Sequence, residues 1–273
     1  MNILKPTLVK KAILLFPLVL FFILSQAQNP GSGMIFGIKG GTSKMMSEGT
    51  SIFSDRVKEF DQQAGLAVDL ELSKLLLNHF ELGTEIGISN IKGTIEDPTQ
   101  SDSKYKLEGD HFIRDLESPV EYVNRLISQK FFIGYYFRNF NTISTTLNPE
   151  PFIRAGAGYI SYGVELFEND RSTSGKGTEN YADLSMSSTL FFASVGVKSY
   201  LSPNFFMNIT YTVNYTNYDY LDAVFNFDSN EERLGLNGMY SEFKIGLFYQ
   251  FAGKGKRGGG PKNGLGPNLP FSR

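Results

Sequence analysis

The chain has 273 residues, a formal net charge of −2 at pH 7, no cysteine, no tryptophan, and an aromatic share of 14% carried by Phe and Tyr. Without cysteine it has no disulfide framework, no thiol to take a lipid and no cysteine-based zinc site, and its mildly acidic balance excludes the basic footprint of a nucleic-acid binder. A hydrophobic share of 41%, with no apolar run of 18 residues, excludes helical membrane spans and leaves β structure as the route into a membrane.

The first element is a leader. Lys5, Lys10 and Lys11 precede an apolar run from Ala12 to Leu24, about 13 residues and too short to cross a bilayer as a helix. Ser25 and Ala27 supply the small residues of a signal-peptidase site, so residues 1–27 are expected to be a signal peptide and the rest an exported protein. Removing those three lysines leaves 23 basic residues against 28 acidic ones, a net charge of about −5.

After the leader, apolar positions alternate with polar or glycine positions, the period-two mark of strands with two different faces. Eight such segments are expected, at 34–41, 64–75, 80–92, 129–138, 151–166, 188–200, 204–218 and 240–251. Their connections alternate in length. Residues 42–63, 93–128, 167–187 and 219–239 are long, whereas 76–79, 139–150 and 201–203 are shorter, which puts every short turn at one end. That rhythm fits an all-β fold: an eight-stranded antiparallel up-and-down transmembrane β-barrel over 28–251, in the outer membrane, with both mature termini periplasmic.

One segment reads two ways. Ser118-Pro119-Val120-Glu121 resembles a capping box with Pro at the first helical position, and Val120, Val123, Leu126 and Ile127 recur at helical spacing, which predicts a short helix over 119–128. The competing reading starts the fourth strand earlier, near Tyr122, and carries it beyond the membrane.

Sorting the strands by parity gathers Phe36, Ile38, Leu70, Ile86, Ile133, Val195 and Ile245 on one face. The other face carries Lys39, Asp69, Glu71, Glu85, Arg154, Lys198, Glu242 and Lys244, interleaved with glycines. A buried charge costs several kcal/mol unless paired, so a soluble core would rarely hold eight. Inside a membrane barrel they form a charge network in the lumen. Eight strands enclose only enough space for side chains to fill, so opposed charges are expected to lock the barrel rather than line an open pore. The alternatives are a narrow channel for ions or small solutes along Lys39, Glu85, Arg154, Lys198 and Glu242, and a soluble periplasmic barrel holding a lipid.

Catalytic and ligand motifs are absent or incomplete. Gly156-Ala157-Gly158 and Lys39-Gly40-Gly41-Thr42-Ser43-Lys44 lack the spacing and the following helix of a phosphate loop. His79 in a tight turn and His111 in a long loop fall at opposite ends of the expected barrel, which argues against zinc. His111 with Asp110, Asp115 or a loop serine is the one catalytic grouping available. Asp228-Ser229-Asn230-Glu231-Glu232 lacks the glycine and spacing of a calcium loop. The expectation is therefore a non-enzyme with no catalytic, cofactor or metal residues. The second and fourth long loops are acidic and suit basic partners or solvation. Residues 252–273, rich in Gly and Pro and carrying Lys254, Lys256, Arg257, Lys262 and Arg273, are expected to form a disordered basic periplasmic tail.

Four segments carry a resemblance. Phe36-Gly37-Ile38-Lys39-Gly40-Gly41, Phe131-Phe132-Ile133-Gly134-Tyr135-Tyr136-Phe137, Pro151-Phe152-Ile153-Arg154-Ala155-Gly156-Ala157-Gly158-Tyr159 and Phe243-Lys244-Ile245-Gly246-Leu247-Phe248-Tyr249-Gln250-Phe251 occur in an order that resembles the outer-membrane β-barrel domain proteins of Bacteroidota, including the PorT-like family. The resemblance covers about residues 33–251 and implies an eight-stranded barrel among outer-membrane lipid. It also implies, for some members, a part in protein secretion or envelope assembly through a protein partner at the loops or tail, and it brings no catalytic residues. The chain departs from the pattern by continuing past the aromatic end of its last strand.

Overall fold

The computed structural model describes residues 33–49, 56–57, 60–76, 79–97, 105–106, 119–137, 149–168, 171–174, 187–202, 204–217, 221, 225–226 and 237–251. The chain divides into two units, Ile35–Gln250 and a second composed of residues 1–34 and 251–273. In the second, the Phe251 N–H donates to the Met34 carbonyl at 2.8 Å. The leader 1–27, the tail 252–273, His111 and the segment 228–232 lie outside the described residues.

Eight long strands build the first unit: β1 (Met34–Gly49), β2 (Gly65–Leu76), β3 (Phe80–Ile95), β4 (Val120–Tyr136), β5 (Glu150–Glu168), β6 (Ser187–Tyr200), β7 (Phe205–Thr216) and β8 (Asn237–Gln250). Each is hydrogen-bonded to its neighbour in sequence, and β8 returns to β1 from Ile35↔Gln250 to Gly49↔Asn237. The sheet therefore closes as an up-and-down antiparallel barrel with no free edge among these eight strands. Closure is what lets such a sheet satisfy its backbone groups inside a membrane.

The two ends differ. Leu76 to Phe80, Tyr136 to Glu150 and Tyr200 to Phe205 make the shorter connections at what we call the turn end; the four long connections define the loop end. There the sheet is extended by Arg56–Val57 on β1, Asp61–Gln63 on β3 and Arg171–Ser174 on β5. A separate pairing of Tyr105–Lys106 with Phe225–Asn226 ties the second long loop to the fourth.

Of the two readings of 119–128, the helix does not form and the strand that starts early and runs past the membrane does. Val120 to Tyr136 is one continuous strand whose inward and outward positions alternate without a break. It pairs on both sides along its whole length, from Val120↔Ile95 and Val120↔Glu168 onward. Two complete hydrogen-bonded ladders outweigh a local capping signal, and Pro119, just before the strand, costs no ladder hydrogen bond.

Length explains where these strands end. At about 3.3 Å per residue and a tilt of about 45°, the 17 residues of β4 rise about 40 Å along the barrel axis, against an apolar band about 25 Å tall in membrane barrels. β3, β4 and β5 therefore continue beyond the band at the loop end as a projecting wall.

Candidate functional site: a sealed, charged lumen

The outward face of the barrel is apolar where the strands are central. Leu66, Ile88 and Ile133 are 60–72% exposed, and Phe36, Val68, Leu70, Phe191, Val195, Phe243 and Leu247 stand beside them. A water-soluble barrel does not leave a continuous band of this kind in solvent. At the turn end the band finishes in an aromatic belt, where Tyr135 packs against His79, Phe80 and Phe137 and Phe205 packs against Tyr249.

The inward face is the reverse. Lys39, Asp69, Glu71, Glu85, Arg154, Lys198, Glu242 and Lys244 are all buried at 5% exposure or less. Five of them form a central layer together with Lys130, which is also fully buried. Glu85 on β3 takes Lys39, Lys130 at 3.2 Å and Lys244 at 3.5 Å; Glu242 on β8 takes Lys130 at 2.6 Å and Lys244 at 3.0 Å; Asp69 pairs with Lys244 and lies 3.6 Å from Lys39. β4 and β8 stand on opposite sides of the ring, so the Lys130–Glu242 pair crosses the full lumen. The Asn214 amide adds a bond to Glu242 at 3.1 Å.

A second layer lies toward the turn end. Arg154 on β5 donates from Nη1 to Glu71 and from Nη2 to Glu81, both at 2.8 Å, and the Tyr136 hydroxyl donates to the same Glu81 oxygen at 3.0 Å. The guanidinium lies between the rings of Phe132 and Phe152, 4.5 and 4.7 Å from their centroids. Glu71 also reaches Lys39 at 3.1 Å and so joins the layers. Lys198 stands apart from these pairs: it is 3.8 Å from Glu150 and sits 4.6–4.8 Å above the rings of Tyr136, Tyr200 and Phe206.

Reading the sequence missed Glu81, Lys130 and Glu150. The signal was present for two of them, since Glu81 shares its parity with Glu85 and Lys130 alternates with the outward Phe131 and Ile133. Glu150 opens β5 one residue earlier than periodicity suggested.

Both ends of this network are stopped by apolar side chains. Toward the turn end, Ile35, Tyr200, Phe206 and Phe248 form a buried cluster, with Phe206 and Phe248 stacked at 4.9 Å. Phe248 occupies the space beside Gly37 and Gly246, where any Cβ would collide with its ring. Toward the loop end a larger cluster joins Met45, Phe60, Ile91, Val120, Tyr122, Leu126, Ile160, Tyr162, Val164, Leu166, Leu190, Leu221 and Tyr240. Leu221 belongs to the fourth long loop and is held there by the Asn124 amide, which donates to its carbonyl at 2.9 Å. Paired charges between two apolar clusters can brace the barrel wall from inside. Among the described residues no group of His, Cys, Asp and Glu is arranged to hold a metal ion.

An apolar outer band, a charged inner face, full closure and long loops at one end define an outer-membrane β-barrel. Among solved structures the chain is similar to the crystal structure of Neisserial surface protein A, at 12% identity over 81% of this chain and 99% of that one, with a TM-score of 0.40. It is also similar to OprG of Pseudomonas aeruginosa, at 10% identity over 82% and 98% with a TM-score of 0.42, and to outer membrane protein W of Escherichia coli, at 14% over 79% and 97% with 0.34. No protein-family model and no curated protein matches the chain.

Proposed function

We propose that the protein is a non-conducting, non-enzymatic outer-membrane barrel that anchors a projecting wall and presents it, with the long loops, to a macromolecular partner outside the lipid. The observation that carries this reading is the double closure of the lumen: charge pairs such as Lys130–Glu242 span it, and the clusters around Phe206 and Tyr122 stop it at either end. What remains available is the rim. There the outward side chains of β4 and β5 turn polar at Glu121, Arg125, Ser161 and Glu165. A soluble lipid carrier would keep its apolar face inside, the opposite of this arrangement.

The turn end, with its shorter connections, faces the periplasm in this reading, together with both mature termini and the basic tail. The four segments similar to PorT-like barrels of Bacteroidota support a partner from a secretion or envelope-assembly machine, and outer-membrane lipid surrounds the band.

Two experiments test the proposal. Purified barrel in a planar bilayer should give no unitary conductance; reproducible ohmic steps would restore a channel along Lys39, Glu85, Arg154, Lys198 and Glu242. Photo-crosslinkers at Glu121, Arg125 and Glu165 in living cells should capture one discrete adduct that Arg125→Glu abolishes. Absence of any adduct at all three positions would refute a rim-borne partner.

A further inference from the structure

Where β3 and β4 leave the apolar band, their outward side chains change within one step of the ladder. Ile88 and Ile127 stand opposite each other, 60% and 57% exposed, and end the band. The next outward pair is Asn90 opposite Arg125, and the one after it is Lys92 opposite Val123. Lys92 and Arg125 are therefore diagonal neighbours on one face, a spacing of about 7–8 Å in an antiparallel ladder. Arg125 is exposed, and Lys92 and Asn90 are half-buried.

Among the described residues neither cation has an ion pair or a side-chain hydrogen bond. The carboxylates of the wall stand off from them. Glu121 is four residues further from the band than Arg125 on the same strand, and Glu165 is opposite Val123, on the far side of β4 from Lys92. The position beside Arg125 on β5 is Gly163, so no side chain covers that flank. Two cations set side by side without a counter-charge repel each other, and an anion between them turns that repulsion into attraction. A guanidinium takes phosphate oxygens two at a time, and an ammonium on a long flexible stem can swing to the same group. The Asn90 carboxamide lies between the pair and the band and adds a donor.

We infer that Lys92 and Arg125 seat the phosphate of one anionic lipid in the leaflet at the loop end, with its acyl chains running down over Ile88 and Ile127. Position selects this occupant. The two cations stand one and two ladder steps beyond the last apolar pair, which is the level of the headgroups, and the surface directly below them is the band that acyl chains cover. A zwitterionic lipid brings its own cation to its phosphate and gains little from the pair. The inference rests on the outward face being the lipid face, and it goes beyond the rim partner, for which Glu121 and Glu165 remain free of the lipid.

The test is native mass spectrometry of the full barrel released from micelles that hold equal amounts of dioleoyl phosphatidic acid and dioleoyl phosphatidylcholine. The barrel should retain one phosphatidic acid in about 25-fold preference, about fivefold for each cation at an anionic surface. Lys92→Gln and Arg125→Gln should each lower the ratio to about five, and the double variant to about one. Lys44→Gln, at an exposed lysine on β1, should leave it unchanged. Excess inorganic phosphate should not displace the lipid, because the acyl chains hold it to the band. Each variant is checked for folding by the shift of its unboiled band on a denaturing gel. Equal retention of the two lipids by the unaltered barrel, a preference that survives the double substitution, an equal loss in Lys44→Gln, or displacement by inorganic phosphate overturns the inference and leaves the membrane reading standing. Failure of the unaltered chain to insert into vesicles overturns both.

Discussion

From Gln129 to Tyr136, β4 sends Lys130, Phe132 and Tyr136 inward and Phe131, Ile133 and Tyr135 outward; from Val120 to Leu126 the same strand, in unbroken alternation, sends Val120, Tyr122, Asn124 and Leu126 inward and Glu121 and Arg125 outward. β5 repeats the change. Arg154 gives way to Ile160, Tyr162, Val164 and Leu166 inside, while Ile153 and Tyr159 give way to Ser161 and Glu165 outside. β3 does the same, from Glu81 and Glu85 to Ile91 inside, and from Ile86 and Ile88 to Asn90 and Lys92 outside. Geometry is constant along these strands and only the solvent outside them changes. In lipid an apolar exterior is favoured and the interior is free to hold paired charge; in water the exterior must be polar and the interior becomes an ordinary apolar core. The barrel is a membrane barrel and a small soluble sheet joined end to end.

The two halves should fail differently, and the largest effect is expected in the lumen. Glu85→Ala removes the carboxylate shared by Lys39, Lys130 and Lys244. Lys39, Lys130 and Lys244 keep Glu71, Asp69 and Glu242 as partners, but the buried layer is left with one uncompensated positive charge. That should cost about 3–5 kcal/mol, read as a lower urea midpoint for unfolding from vesicles and loss of the fast-migrating unboiled band. In the projecting wall, Leu126→Ala should cost about 2–5 kcal/mol of local stability, since Leu126 is fully buried in the loop-end cluster. Limited proteolysis should then cut the rim while the unboiled band persists. If the band disappears as well, the halves are one cooperative unit.

A smaller contrast sits on the outer face. Val195→Arg, in the apolar band, should cost about 2–4 kcal/mol, and Val123→Arg, at the wall, less than about 0.5 kcal/mol, both read from urea midpoints. Equal costs would place both sites in the same solvent. Gly196→Ala should cost about 1–3 kcal/mol in the same assay, because the Phe152 ring fills the space a methyl group would need.

Much of this was legible from residues alone. Period two placed all eight strands, and connection length separated the turn end from the loop end, because closure and short turns leave local marks that need no tertiary knowledge. The parity of β1, β2, β6, β7 and β8 also marked which side chains point inward. What was lost was the change of solvent along β3, β4 and β5. Where two alternating patterns of opposite phase meet, apolar residues fall on both faces: Val120 and Leu126 inside, Val123 and Ile127 outside. That overlap imitates the three-and-four spacing of a helix, and it is why 119–128 could be read either as a helix or as an early start of the fourth strand. The loop-end core was hidden for the same reason, since Ile160, Tyr162, Val164 and Leu166 share the face of Arg154 and read as part of a polar lumen.

The most direct test uses the fact that the chain has no cysteine. Arg125→Cys and Ile133→Cys place single thiols on the same outward face of β4, both exposed and eight residues apart. In the barrel reconstituted into vesicles and offered a membrane-impermeant maleimide from either side, the thiol at 125 should label and the thiol at 133 should not. Labelling of both would put the whole strand in water, and protection of both would put the wall inside the lipid; either result would contradict a strand that changes solvent along its length.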